Sequence, residues 1–273
     1  MSVLSGRVAL VTGGSSGIGR GAALRLAAQG ASVAVHGLDL AEAESVAAEL
    51  RGTGAEAIGF AGDVSSAETA ASAVRAAVDA FGRLDILVAA AGIQRYGDVV
   101  ATTESTWDEV FDVNVKGVFL AVKAAAPYLR ESDAGSVVIV SSVQAIATQT
   151  DVVAYTAGKG ALLSLTRALA VDEARHGVRV NSVSPGSVDT PMLRTSAAMW
   201  SDGTEAGVAA VLENWGTAHA LGRIATAEEV GEVIAFLAGS GAAFVTGADF
   251  RVDGGLLARI AAPLPATAKT IEG

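Results

Sequence analysis

The sequence predicts an α/β fold in which a doubly wound, seven-stranded, mostly parallel sheet has helices on both faces. Short apolar runs alternate with longer amphipathic segments along the chain, which is typical of consecutive strand–helix–strand units. The composition is 51% hydrophobic but only 5% aromatic, as expected of buried parallel strands covered by helices with small side chains. A length of 273 residues suits a single domain, 1–273.

The elements follow one another in a regular order. The apolar runs that predict strands are residues 8–11, 32–35, 57–61, 86–90, 136–140, 178–183 and 248–252. The amphipathic patterns that predict helices are residues 17–29, 41–51, 67–81, 106–129, 152–176 and 227–237. Each strand–helix–strand unit predicts a right-handed crossover between parallel strands.

Two segments interrupt this order. Residues 190–222 form a long insertion that carries Met199, Trp200 and Trp215 among glycines and polar residues. Such an insertion is often a lid over a site, although it could also be a surface excursion with its own short helices. The tail, 256–273, contains two prolines, and it could be a disordered end or an arm packed on a neighbouring subunit.

Charge and composition exclude several function classes. The formal net charge is −10, which disfavours a nucleic-acid partner and offers no basic stretch for an anionic membrane surface. The absence of cysteine excludes disulfides, thiolate catalysis and Cys-ligated zinc. Three scattered histidines form no ligand spacing, so we expect no metal site. No apolar stretch is long enough to span a membrane and no secretion leader is evident, so the expected location is cytoplasmic.

A glycine-rich turn follows the first predicted strand. It reads Thr12-Gly13-Gly14-Ser15-Ser16-Gly17-Ile18-Gly19 and leads into a helical pattern. Side chains at its glycines would block the approach of a diphosphate to the backbone N–H groups, and the helix N-terminus favours negative charge. Glycine-rich turns also occur in ordinary loops, but this position between a strand and a helix indicates dinucleotide binding.

Tyr155 and Lys159 are spaced to share one face of a predicted helix. A neighbouring ammonium favours the phenolate and lowers the tyrosine pKa, so the pair could move a proton to or from a substrate oxygen. Ser142, thirteen residues earlier, could hold that oxygen. Such a pair also occurs by chance, but the chain has only three tyrosines and four lysines.

Several further motifs stand in the order of a known family. They are Asp63-Val64, Ala91-Gly92, Asn114, Tyr155-Thr156-Ala157-Gly158-Lys159, Pro185-Gly186 and Val252-Asp253-Gly254-Gly255. With the glycine turn and Ser142, they make residues 4–255 resemble the short-chain dehydrogenase/reductase family. The resemblance implies a single-domain Rossmann-type fold and an NAD(P)-dependent oxidoreductase. Such an enzyme interconverts a secondary alcohol and a ketone by hydride transfer.

The resemblance assigns catalytic roles to four residues. It implies that Tyr155 is the general acid/base, that Lys159 lowers its pKa and holds the nicotinamide ribose, and that Ser142 binds the substrate oxygen. It also implies that Asn114 positions a water that links the lysine to solvent. From the residues alone, Asn114 could instead bond backbone within its helix, where asparagine is a poor helix former.

The cofactor contacts that the resemblance implies run along the ends of the strands. They are Gly13, Ser15, Ser16, Gly17, Ile18 and Gly19 in the turn, Asp63 and Val64 at the adenine, Ala91 and Gly92 after the fourth strand, and Tyr155 and Lys159. Pro185, Gly186, Val188 and Thr190 would frame the nicotinamide. Asp63 could also cap the helix that begins near Ser65.

Two departures from the family pattern bear on the cofactor. Residues 89–92 read Ala-Ala-Ala-Gly where the family usually has Asn-Asn-Ala-Gly, so we expect altered local support without loss of activity. The usual acidic ribose contact is replaced by Gly37, and the usual basic phosphate positions hold Ser16 and Leu38. Asp39 could reach the ribose and would repel a phosphate, whereas His36 could assist a phosphate only weakly. This pattern favours NAD over NADP.

The substrate candidates are Gln94, Gln144 and Met192, with Gln149, Met199 and Trp200 as further possibilities. The amides favour a polyol, sugar or hydroxy acid, unless they face solvent. Two other functions remain open, namely a non-redox epimerase or lyase on the same fold and a dinucleotide-binding sensor without turnover. The resemblance also implies a homotetramer formed through the helices at 106–129 and 152–176 and through the last strand.

Overall fold

The computed structural model describes residues 3–260. The strands are β1 (Val8–Thr12), β2 (Ser32–Gly37), β3 (Ala57–Ala61), β4 (Ile86–Ala89), β5 (Ser136–Val140), β6 (Arg179–Pro185) and β7 (Asp249–Val252). The helices are α1 (Gly17–Ala28), α2 (Leu40–Gly52), α3 (Ala67–Phe81), α4 (Glu104–Phe111), α5 (Gly117–Leu129), α6 (Val153–Ala174), α7 (Pro191–Met199), α8 (Glu205–Gly216) and α9 (Ala227–Ala238). A π-helical turn (Asp112–Lys116) joins α4 to α5.

The sheet confirms the predicted fold class. Its strand order is β3-β2-β1-β4-β5-β6-β7, and every neighbouring pair is parallel. The order reverses between β1 and β4, which in a doubly wound sheet opens a crevice at the carboxyl ends of those strands. The predicted strands and helices are all present, and their outer ends differ from the expected ones by at most two residues.

One predicted helix is interrupted. The apolar pattern of 106–129 indicated a continuous helix, whereas the structure has α4, the π-helical turn and α5 in succession. A π turn adds a residue to one helical turn, and such turns are frequent at functional sites. Here the inserted turn carries Asn114, which is completely buried.

The core consists of two layers, one on each face of the sheet. Successive β1 residues point to opposite faces, so Val11 packs in one layer and Leu10 in the other. The first layer contains buried residues of α1, α2 and α9. The second contains buried residues of α3, α5 and α6. The helices therefore cover both faces, as predicted.

Helices α1 and α9 approach one another through two glycines. A β-carbon on Gly231 would lie 2.6 Å from the carbonyl oxygen of Gly21, and one on Gly21 would meet the carbonyl of Ala227. Backbone atoms cannot move aside as a flexible side chain can. This contact therefore fixes the position of α1, whose first turn follows the glycine-rich turn.

The long insertion forms α7 and α8. The described part of the tail, residues 256–260, returns to the end of this segment, where Arg259 Nη1 donates to the Thr217 carbonyl at 2.8 Å. The tail beyond residue 260 lies outside the described residues. Within the described part of the chain, no helix is both long and apolar enough to cross a membrane. The cytoplasmic location stays a prediction.

The glycine contact between α1 and α9 predicts a steric effect on stability. We expect Gly231→Ala to lower the free energy of unfolding by about 1–3 kcal/mol, because the added methyl group overpacks a backbone contact. Gly52→Ala is the matched control, since a β-carbon at Gly52 meets nothing within 4 Å. It should be neutral or stabilise α2 by up to about 1 kcal/mol. Urea unfolding measures both variants, and equal stabilities would contradict the steric argument.

Candidate active site

Helix α6 carries Tyr155 and Lys159, and both side chains are buried. Lys159 Nζ donates to the Val140 carbonyl at 2.8 Å and lies 5.5 Å from the centre of the Tyr155 ring. The loop before α6 turns at Asp151, whose φ of 61° is in the left-handed region that aspartate tolerates better than most residues. Its carbonyl accepts from Gly97 N at 2.7 Å, which ties the loop after β4 to the start of α6.

Ser142 lies just beyond the end of β5, beside the tyrosine. Its hydroxyl accepts a hydrogen bond from Gln144 N at 3.1 Å, which fixes the short turn that follows the strand. Ser141 Oγ donates to the Lys159 carbonyl at 3.0 Å. The end of β5 is thus joined to α6 by two hydrogen bonds, one to the side-chain ammonium of Lys159 and one to its backbone carbonyl. These bonds hold Ser142 at a fixed position relative to Tyr155.

Burial sets the protonation of the pair. It raises the pKa of Tyr155 to about 12, although the Ser142 hydroxyl acts in the opposite direction. Burial also lowers the pKa of Lys159 to about 8. The pKa of Tyr155 is thus raised and not lowered in the protein by itself, because desolvation of the phenolate is the largest contribution. The role of Lys159 in lowering the tyrosine pKa stays a prediction.

Asn114 holds the loop that follows β4. Its Oδ1 accepts from Ile93 N at 2.8 Å, and its Nδ2 donates to the Ile93 carbonyl at 2.8 Å. Its side chain thus bonds backbone, but in a different segment from its own helix. Gly92 comes directly before Ile93 in the loop. A β-carbon on Gly92 would lie 3.3 Å from Asn114 Oδ1 and 3.5 Å from Lys159 Nζ. The structure therefore brings Gly92, Asn114 and Lys159 together.

The glycine turn has the close approaches that a diphosphate cradle requires. A β-carbon on Gly13 would lie 2.7 Å from Ala91 Cα, and one on Gly19 would collide with the Gly13 carbonyl. Gly17 has a φ of 49°, which a side chain disfavours. Ser16 is the N-cap residue of α1 but makes no side-chain capping bond, so the first N–H groups of the helix remain to bind an anion. These residues fit a dinucleotide.

The ribose region differs from a typical acidic contact. A β-carbon on Gly37 would lie 2.8 Å from Ser15 Cβ and Oγ, so Ser15 fills the space of a side chain there. Asp39 Oδ1 accepts from Glu42 N at 3.0 Å and caps α2. Leu38 is 79% exposed, whereas His36 is buried and stacked on Phe60. Burial lowers the pKa of His36, which removes it as a cationic contact.

Asp63 and Thr190 shape the two ends of the predicted cofactor path. Asp63 Oδ1 accepts from Ser65 N at 2.9 Å, but Ser66 caps α3. The idea that Asp63 is the helix cap is therefore corrected to a turn contact. Thr190 Oγ1 accepts from Leu193 N at 3.2 Å and caps α7. A β-carbon on Gly17 would lie 3.2 Å from Thr190 Cγ2, so the start of α7 adjoins the glycine turn.

A cavity of about 410 Å³ opens at Tyr155 and Ser142. The predicted residues that line it are Ile18, Gln94, Gln144, Gln149, Pro185, Gly186, Val188, Thr190 and Met192. Gln144 Oε1 is buried and has no hydrogen-bond partner among residues 3–260. Met199 and Trp200 do not line the cavity and are each 60% exposed. Trp215 of the long insertion also lines it, as do Tyr96 and His219, which no pattern in the sequence indicated.

Comparisons with known proteins agree with this geometry. A family model described as enoyl-(acyl carrier protein) reductase matches residues 13–257. The chain is 39% identical over 255 residues to 2-(S)-hydroxypropyl-CoM dehydrogenase 3 of Xanthobacter autotrophicus, with 93% of this chain and 98% of that protein covered. It is 39% identical over 254 residues to cis-4-hydroxycyclohexanecarboxylate dehydrogenase of Sinomonas cyclohexanicum, with 92% and 97% covered.

A solved structure shows the same fold. The ligand-free aldohexose dehydrogenase of Thermoplasma acidophilum superposes with a TM-score of 0.88 at 32% identity, covering 97% of this chain and 99% of that one. The chain belongs to the short-chain dehydrogenase/reductase family. As a member, it is a nicotinamide-dependent oxidoreductase that interconverts a secondary alcohol and a ketone. The dehydrogenases among its relatives favour this function over a non-redox enzyme or a silent sensor.

The buried lysine of this short-chain dehydrogenase/reductase predicts a pH-dependent stability. Because its folded pKa of about 8 lies below its ordinary value of 10.5, the unfolded chain binds more protons between these pH values, and stability rises with pH there. From pH 7.5 to 9.5, we expect the unfolding free energy to rise relative to that of Lys159→Met. Over this window the expected rise is about 2 kcal/mol at ~1.4 kcal/mol per pKa unit, because the window covers only part of the range between the two pKa values.

Urea unfolding without added cofactor measures this difference. Lys123→Met is the control, because Lys123 is exposed on α5 and its removal should leave the pH dependence unchanged. If the unfolding free energies of the protein and of Lys159→Met differ by a constant amount across this pH range, burial of the ammonium does not destabilise the fold.

Proposed function

We propose that Tyr155 is the general acid/base of the reaction and that Ser142 holds the reacting oxygen. The observation that carries this proposal is that both side chains line one cavity, with the Lys159 ammonium 5.5 Å from the tyrosine ring centre. The nicotinamide cofactor supplies the hydride acceptor or donor when it is bound. The chain's own residues orient the oxygen and move its proton.

The two directions of the reaction need different forms of Tyr155. With a pKa of about 12, its phenol carries a proton at neutral pH and can deliver it to a ketone oxygen. Alcohol oxidation needs the phenolate, which positive charge in the site favours. Lys159 uses one of its three donors on the Val140 carbonyl, and we propose that the others hold the nicotinamide ribose.

Asn114 supports this site through the backbone of Ile93. Its two bonds to that residue hold the loop beside Lys159. We propose that it also positions the water that connects the lysine to solvent.

The cofactor in this proposal follows the carboxyl edge of the sheet. Its diphosphate lies on the glycine turn, at Gly13, Ser15, Ser16, Gly17, Ile18 and Gly19. Asp63 and Val64 lie at the adenine, and Ala91 and Gly92 lie beneath the ribose. Pro185, Gly186, Val188 and Thr190 hold the nicotinamide. The close approaches at Gly13, Gly17 and Gly19 support this path, since they require glycine in the tight turn that would present its backbone N–H groups to a diphosphate.

The proposed role of Tyr155 predicts a large loss of turnover when the hydroxyl oxygen of this side chain is removed. Tyr155→Phe keeps the ring, so we expect kcat to fall by about 10²–10⁴-fold. Nicotinamide absorbance measures turnover with a panel of secondary alcohols and ketones. Tyr128→Phe, on α5 and outside the cavity lining, is the control. Equal turnover by the protein and Tyr155→Phe would contradict the assignment of Tyr155 as the general acid/base. Product formation without any change in nicotinamide absorbance would indicate an epimerase or lyase.

We infer that NAD is preferred over NADP. The side chains at the two usual phosphate positions are neutral Ser16 and the exposed apolar Leu38. Asp39 places a carboxylate at the start of α2, where it would repel a 2′-phosphate. A carboxylate can instead accept hydrogen bonds from ribose hydroxyls.

If NAD is preferred for these reasons, one added arginine near the ribose should shift the preference toward NADP. Leu38→Arg should raise the ratio of kcat/KM for NADP to that for NAD by at least about tenfold, because a charge-assisted hydrogen bond contributes about 1.5–3 kcal/mol. Leu40→Arg is the control, since it adds the same charge at another exposed position nearby. A ratio that changes equally in both variants would show a general charge effect, and a wild-type preference for NADP would overturn the inference.

The cavity favours a neutral, hydroxylated substrate such as a polyol or sugar over a hydroxy acid. Gln94, Gln144 and Gln149 line it, and no lysine or arginine among residues 3–260 does so. The buried Gln144 Oε1 is suited to accept a hydrogen bond from a substrate hydroxyl. Met192 of α7 and Trp215 of α8 line the same cavity, which supports the proposal that residues 190–222 are a substrate lid.

We also propose a single-domain subunit that forms a homotetramer. Trp107 on α4 is 37% exposed and Val171 on α6 is 78% exposed. These apolar side chains lie on the helices through which the family resemblance implies assembly.

A further inference from the structure

His219 is a buried histidine that the proposed mechanism does not use. It follows α8 and is 3% exposed, yet its ring lines the cavity that contains Tyr155 and Ser142. Its Nδ1 lies 2.6 Å from the carbonyl oxygen of Asp253. Because a carbonyl only accepts hydrogen bonds, Nδ1 carries a proton, and Nε2 of the neutral ring is an acceptor.

The carbonyl that orients the ring is itself firmly held. Asp253 Oδ1 accepts from Gly255 N, and its Oδ2 accepts from Leu257 N, both at 3.0 Å. The carboxylate is thereby committed to its own turn. The carbonyl oxygen accepts from Leu256 N at 3.0 Å and, through its second lone pair, from His219. The tautomer of the ring follows from this rigid turn.

The other ring nitrogen has no partner in the described structure. Nε2 is buried and makes no hydrogen bond to any of residues 3–260. Leaving a buried acceptor unpaired is unfavourable, so this nitrogen calls for a partner from outside the chain, such as a water or a bound ligand. A β-carbon on Gly186 would lie 2.6 Å from His219 Cε1. The ring therefore packs against the residues that frame the proposed nicotinamide position, close to the reacting end.

We infer that His219 Nε2 accepts a hydrogen bond from a second hydroxyl of the substrate, one that is not oxidised. This inference rests on the proposed function and deepens it. Gln144 Oε1 and His219 Nε2 are both buried acceptors without partners in the same cavity. A hydroxyl other than the one being oxidised can donate to His219 Nε2, and a polyol or sugar supplies such a hydroxyl whereas a simple alcohol does not. His219 thus selects for hydroxylated substrates and takes no part in proton transfer.

Two substitutions separate this role from a purely structural one. In His219→Asn, the amide N–H can keep the bond to the Asp253 carbonyl, but nothing replaces Nε2. In His219→Gln, the longer amide can reach the Nε2 position, although the bond to Asp253 is weakened. A structural role predicts that Asn is the better replacement, whereas a substrate role predicts that Gln restores specificity.

The first test compares butane-2,3-diol with butan-2-ol as substrates, with NAD. We expect His219→Asn to lower kcat/KM for the diol by about tenfold through a higher KM, the effect of losing one hydrogen bond of about 1.4 kcal/mol. Its kcat/KM for butan-2-ol should be unchanged, and His219→Gln should recover part of the preference for the diol. An unchanged diol-to-alcohol ratio in His219→Asn overturns the inference.

The second test observes binding without turnover. The chain has three histidines, so the imidazole nitrogens can be followed by ¹⁵N NMR in the Tyr155→Phe protein saturated with NAD. A shift of the His219 Nε2 resonance on adding butane-2,3-diol, but not butan-2-ol, supports the inference. No shift with the diol, or an equal shift with butan-2-ol, overturns it. Because this readout needs no catalysis, it stands even where the role of Tyr155 fails.

Discussion

The buried ammonium of Lys159, held by the Val140 carbonyl at 2.8 Å, is the interaction on which the candidate site depends. It joins the end of β5 to α6, and these two elements carry Ser142 and Tyr155. A buried cation is expensive unless it is hydrogen-bonded, and the lowered pKa of Lys159 reflects that cost. The site therefore contains a locally unfavourable charge that the two-layer core must stabilise, as is common where activity and stability compete.

The backbone around this charge is placed by small residues and by one irregular turn. Gly92 leaves Asn114 and Lys159 room to lie beside the loop after β4, where even a methyl group would be crowded. The π-helical turn directs Asn114 toward Ile93, whose backbone accepts and donates one bond each. The site thus combines residues from β5, α6, the π turn and the β4 loop at one edge of the sheet. Residues at four separate points of the chain meet there because the strand order reverses between β1 and β4.

Local patterns in the sequence were sufficient to predict the strands, most helices and the glycine turn, since hydrophobic periodicity and glycine spacing are properties of neighbouring residues. The π turn was missed because the apolar pattern of residues 106–129 continues through the extra residue. The direction of the Tyr155 pKa shift was missed because depth of burial is not visible in a four-residue spacing. His219 was missed because its tautomer depends on a carbonyl 34 residues away. Met199 and Trp200 were expected at the substrate, but apolar character alone does not tell which way a lid helix faces.

The ribose region shows how one residue can meet two demands. Ser15 occupies the space that an acidic side chain at position 37 would need, so in the proposed cofactor path the next available carboxylate, that of Asp39, would recognise the ribose. The helix cap uses only its Oδ1, and a carboxylate has two oxygens with several lone pairs. Asp39 can therefore keep α2 capped while Oδ2 accepts from a ribose hydroxyl. Its negative charge is retained in both roles, and at the N-terminus of α2 that charge is further favoured by the helix dipole. The proposed NAD preference would then follow from this cap, because a 2′-phosphate would have to displace or neutralise a carboxylate that also stabilises the fold.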